Sequence, residues 1–69
     1  MIGYVNRKKL LATLKDEVEF NWNMQHRYAE LAESIKDPTE AAKHLAMSIE
    51  YIHRWSESVR LYNILKQAI

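Results

Sequence analysis

Asp37-Pro38-Thr39-Glu40 decides how this chain folds. Asp is a favoured helix N-cap, Pro is tolerated at the first helical position, and Glu three residues after the cap can reach back to its amide. The proline also disfavours helical geometry at Asp37. One helix must therefore stop near Lys36 and another must begin at Pro38.

Downstream of this corner, Ala42, Leu45, Ile49, Ile52, Val59 and Tyr62 recur at spacings that place them on one helical face. Lys43, Glu50, His53, Glu57, Arg60 and Gln67 occupy the opposite, wet face. Glu50 precedes Arg54 by four residues, a spacing that supports a helix. No breaker follows before Ile69, so the second helix is expected over about 38–68. Upstream, Leu11, Leu14, Val18, Gln25, Tyr28, Ala32 and Ile35 form another stripe, giving a first helix over about 6–36. Asn6 is the expected cap of that helix, although Arg7-Lys8-Lys9 opposes the helix dipole there. Thr13, with Asp16 three residues on, is the rival cap. Two helices joined by so short a connection make an antiparallel hairpin, a single all-α domain spanning 1–69.

Composition agrees. Apolar residues are 48% of the chain, too many for a disordered tail, while one Gly and one Pro are too few for sheets and hairpin turns. Cysteine is absent, which excludes disulfides and thiolate zinc sites and fits a cytoplasmic protein. No apolar run reaches the roughly 18 residues of a membrane span, and Met1–Leu14 does not read as a signal peptide. The net charge of +1 predicts no long-range attraction to nucleic acid or lipid. Its distribution is uneven: Arg7, Lys8, Lys9 and Lys15 stand in a segment without acids, whereas residues 16–33 hold five acids against Arg27.

A lone two-helix hairpin leaves more surface exposed than a globule of the same mass. Phe20 and Trp22 lie about 200° apart on a helical wheel, so they cannot both face one neighbour. Met47, Tyr51, Leu61 and Leu65 add a further apolar stripe to the second helix. Pairing across the corner brings residues 20–24 level with 51–55. Phe20, Trp22, Met24, Tyr51 and Trp55 therefore crowd the waist. Pairing of two hairpins into a four-helix bundle is one consequence expected. A binding patch for another protein, formed by Phe20, Trp22, Tyr51 and Trp55, is the other. Trp22 is expected to be the exposed aromatic, with Tyr51 second.

Motifs for chemistry are thin. Glu50-x-x-His53 matches the pair that ferritin-like di-iron bundles place on a helix, but no acid stands at the facing level of Met24, Gln25 and His26. His26 with Glu30, and Glu40 with His44, are each half a zinc site without further ligands. Ser34, Ser48, Ser56 and Ser58 sit in helical stretches without an oxyanion loop. Gly3 alone cannot build a phosphate cradle. The expectation is thus a protein without catalytic, cofactor or metal residues. It acts as a helical homodimer on a client such as a transcription regulator or an enzyme, as inhibitor, anti-activator or adaptor. Short chains without motifs are common among accessory proteins of phages and mobile elements, which sets the expected context. The alternative is a nucleic-acid-binding dimer whose phosphate contacts are Arg7, Lys8, Lys9 and Lys15, near Tyr4. The ferritin-like metal site at Glu50 and His53 is the remote third reading.

Overall fold

The computed structural model describes residues 4–68, with side chains from Asn6 onward. Asp37 adopts φ −72°, ψ 118°, the extended geometry that the following proline favours. Its carboxylate accepts from the Thr39 amide at 3.1 Å, and its carbonyl accepts the first helical bond from Ala41 at 2.9 Å. This cap separates α1 (Tyr4–Ser34) from α2 (Pro38–Gln67). The Glu40 carboxylate does not close the expected capping box. It takes Lys43 Nζ at 3.2 Å instead, since a lysine three residues on offers a charged donor. α1 stops two residues short of the expected Lys36, where the Ser34 hydroxyl donates to the Leu31 carbonyl at 2.9 Å. α1 also begins before Asn6, so neither Asn6 nor Thr13 caps it. Both sit inside the helix, and the residues before Tyr4 lie outside those described.

The two helices pack along their length into an antiparallel hairpin whose Cα atoms span 51 × 14 × 13 Å. On α1 the residues turned toward α2 are Arg7, Leu11, Leu14, Val18, Asn21, Gln25, Tyr28 and Ala32, all buried or half-buried. Their alternating steps of four and three make a heptad seam. It contains the expected upstream stripe as far as Ala32 and adds Arg7 at one end and Asn21 at its middle, while Ile35 lies past the end of α1.

The α2 side of the seam differs from the expectation. It runs Ala41, His44, Ser48, Tyr51, Trp55, Ser58, Tyr62 and Leu65, again at heptad spacing. Ala42, Leu45, Ile49 and Ile52, expected to be the packing face, are exposed, with Leu45 at 51%. The reason lies in the polar residues of α1. Asn21 is buried at 8% exposure, and its side-chain amide needs a partner. Ser58 provides it, accepting from Asn21 Nδ2 at 3.1 Å while donating to the Arg54 carbonyl at 2.8 Å. Ser48 donates across the seam to the Gln25 carbonyl at 2.9 Å. An aliphatic row in the same place would strand the Asn21 amide. The row that turns inward thus supplies the hydroxyls together with Tyr51, Trp55, Tyr62 and Leu65, and the isoleucine row turns outward.

Among the described residues no apolar side chain is fully buried, and the buried ones are Asn21, Gln25, Ser48 and Ser58. The hairpin has a seam but no closed hydrophobic core.

Candidate functional surface

Asn21 points into the seam, so its neighbours flank it on opposite sides, about 100° to either hand. Phe20 meets the Tyr51 ring edge-on at 6.2 Å, and Trp22 lies tilted against Trp55 at 4.8 Å. The four aromatic residues picked from the sequence are thus gathered at the waist in two pairs. Tyr51 is half-buried, stacked on Tyr28 at 5.8 Å and covered by the Arg54 guanidinium at 4.9 Å from its ring centre. Trp55 is also half-buried. Phe20 is 56% exposed and Trp22 41%. The expected order of exposure is corrected on Phe20, which outranks Trp22, and on Tyr51, which the Tyr28 stack holds in the seam.

Phe20 continues into an apolar trough on its side of the hairpin. Toward the open end the trough is lined by Leu10, Leu14, Leu61, Ile64 and Leu65, with Glu17 at its centre. Leu10, Leu61 and Ile64 are among the exposed large apolar residues. The sequence reading missed this trough. Leu61 and Leu65 were visible as an extra stripe, but only the antiparallel register brings Leu10 and Leu14 beside them. On the Trp22 side, Ala29 and Ala32 face Ala42 and Leu45 across a second shallow groove near the corner.

Charge is segregated along the long axis. Lys8, Lys9 and Lys15 are exposed on α1, and Arg7 is half-buried. The register sets α2 residues 60–68 beside them, adding Arg60 and Lys66, with no acid in either segment. The other half carries all nine acids against Arg27, Lys36, Lys43 and Arg54. The phosphate-contact candidates Arg7, Lys8, Lys9 and Lys15 thus share one end of the rod with two further cations. Tyr4, placed near them in the sequence reading, has its side chain outside those described.

The wet face of α2 is laced by ion pairs. Arg54 binds Glu50 at 2.7 Å, and Arg60 grips Glu57 through Nε at 3.0 Å and a second nitrogen. The hydrogen bonds from Arg60 hold the Glu57 carboxyl below its ordinary range, and the same pairing raises the Arg60 guanidinium. Glu50, half of the Glu-x-x-His pair, is committed to Arg54, and His53 lies exposed beside it. His44 sits with Nδ1 2.9 Å from the Glu40 carbonyl, and His26 meets Trp22 edge-on at 4.9 Å. Among the described residues no three potential metal ligands converge. No helix among them is long and apolar enough to cross a membrane. Compared with protein-family models, curated proteins and solved structures, the chain matches none.

Proposed function

We propose that this chain is a non-enzymatic helical homodimer that binds another protein and modulates it, as inhibitor, anti-activator or adaptor, in the cytoplasm that a cysteine-free chain fits. One observation carries the reading. Large apolar side chains stand exposed on two sides of a hairpin that has no closed core of its own. A monomer rarely presents so much continuous apolar surface without a use for it. One side can be covered by a second copy. The other, the trough from Leu10 and Ile64 to Phe20, suits a client helix. It has a large aromatic at one end and charged residues, Glu50, Arg54 and Glu57, along its edge there, the arrangement that hot spots favour.

The test begins with an affinity-tagged chain used to recover a client, followed by binding titrations with variants. Phe20→Ala and Leu61→Ala should each weaken the recovered complex by about 2 kcal/mol, roughly 30-fold, at unchanged helicity. Equal affinity for both variants and the parent chain overturns the client site.

A second reading, binding of nucleic acid, gains from one observation: Arg60 and Lys66 join Arg7, Lys8, Lys9 and Lys15 at the same end. Its test is the salt dependence of binding to a fluorescent duplex. Phosphate contacts by the exposed Lys8, Lys9, Lys15 and Lys66 would give a logarithmic slope of about −4 per chain. A flat response excludes it.

A further inference from the structure

Along α2, Ala42, Leu45, Ile49, Ile52, Ser56 and Val59 repeat at three- and four-residue steps, beside the row that packs on α1. Leu45, Ile49 and Ile52 are 51%, 48% and 40% exposed. α2 therefore carries two parallel heptad rows, with the serines and aromatics turned to its own partner helix and the aliphatics turned out. We propose that the outer row seats a second copy of this chain, packed α2 against α2 in opposed directions about a two-fold axis midway between Ile49 and Ile52. The inference rests on the dimer proposed above, and adds its face and orientation.

Three observations select this occupant. The first is area. The hairpin exposes 5427 Å², whereas a compact protein of 8.2 kDa exposes about 4,500 Å². The excess, roughly 900 Å², is close to the ~800 Å² each partner contributes to a stable interface. The second is the row's own symmetry. Opposed packing sets Ile49 against Ile52 of the second copy, Leu45 against Ser56, and Ala42 against Val59. Larger side chains then meet smaller ones outside the central isoleucines, so the rows interdigitate. The third is charge. Opposed alignment lays residues 60–63 of one copy beside residues 38–41 of the other, so that residues 64–68 reach to its corner. The end holding Arg7, Lys8, Lys9, Lys15, Arg60 and Lys66 then approaches a corner holding Glu33, Asp37 and Glu40 against Lys36 and Lys43, the latter paired with Glu40. Same-direction packing would instead set two such basic ends side by side, which is repulsive.

The chain has no cysteine, so introduced thiols report cleanly. Full-length Leu45→Cys and Ser56→Cys proteins, one carrying a mass tag, are oxidised separately and as a refolded equimolar mixture, then resolved without reductant. In the opposed dimer the thiol introduced at position 45 of one copy faces the thiol introduced at position 56 of the other. Like positions lie roughly 16 Å apart along the axis at 1.5 Å per residue, beyond the ~7 Å a disulfide allows. The mixture should give the mixed disulfide at least tenfold more abundantly than either protein alone gives its own. Efficient self-linking of Ser56→Cys overturns the orientation. A dimer by light scattering with no crosslink in any sample overturns the face while the dimer stands. A parent chain that scatters as a monomer overturns both. Should Leu45→Cys lose helicity, Ala42→Cys with Val59→Cys makes the same test one turn outward.

Discussion

Ser58→Ala and Asn21→Leu should move stability in opposite directions, although both remove the same hydrogen bond. Ser58 is 5% exposed and Asn21 8%, and the bond between them is 3.1 Å long. Removing the serine hydroxyl leaves Asn21 Nδ2 as a buried donor without a partner, a cost of about 1–3 kcal/mol. Replacing the asparagine leaves no orphan, because the Ser58 hydroxyl still donates to the Arg54 carbonyl. Leucine at position 21 gains up to about 1.5–3 kcal/mol from apolar burial and loses a neutral hydrogen bond worth about 1 kcal/mol. Asn21→Leu should therefore be neutral or stabilising by about 1 kcal/mol. The double variant should be at least as stable as the parent, since no orphan remains to penalise. Urea unfolding followed by circular dichroism, at one fixed protein concentration, reads all four proteins of the cycle. A Ser58→Ala variant as stable as the parent refutes the reasoning, as does an Asn21→Leu variant weakened by more than about 1 kcal/mol. The first result would mean that the Asn21 amide is satisfied without Ser58, and the second that the polar contact itself holds the helices together.

Other outcomes follow from the same geometry. Asp37→Ala removes the carboxylate that accepts from Thr39, and should cost about 0.5–2 kcal/mol in thermal or chemical unfolding. The Glu57 carboxyl, held below its ordinary range by Arg60, should titrate below the usual carboxylate range in a carbon-detected NMR series. Because the folded value is depressed, the linked stability is present above the unfolded pKa and fades as pH falls through the folded one. Arg60→Gln should return Glu57 to the usual carboxylate range. Melting temperature should rise with protein concentration, since dimerisation stabilises the folded chain by mass action, by about 1.4 kcal/mol of dimer for each tenfold increase. A melting point constant over a hundredfold range would contradict the dimer.

The corner was legible because its chemistry is local. Asp37 and Pro38 constrain their own backbone and need nothing distant to act. The α1 stripe was legible too, because its apolar residues coincide with the seam. On α2 the same logic chose the wrong row. Leu45, Ile49 and Ile52 are more hydrophobic than Ser48 and Ser58, and a periodicity argument hands the interior to the more hydrophobic face. The inward row pairs large aromatics with serines whose partners lie on the other helix, such as the Asn21 amide 37 residues from Ser58, which periodicity within one helix does not show. The waist aromatics were found by their number, but their exposure was misjudged. Position 20 lies as far from the seam as position 22, and only the contacts of Trp22 with Trp55 and His26 show which of the two is the more covered.

The inverted arrangement of α2 bears on how one small hairpin could serve two partners. Phe20 and Trp22 leave the helix on opposite sides of Asn21, so the waist does not form a single patch. Trp22 lies with Ala29, Ala42 and Leu45 on the side of the aliphatic row. Phe20 lies with Leu61 along the trough. On the proposed arrangement the second copy covers the first side and leaves the trough open on both hairpins. The dimer then presents two equivalent client sites related by its two-fold axis. Truncating Trp22 would act mainly on self-association and truncating Phe20 mainly on client binding. A single aromatic cluster read from the sequence thereby divides into two surfaces with separable roles, and the polar residue between them is what divides it.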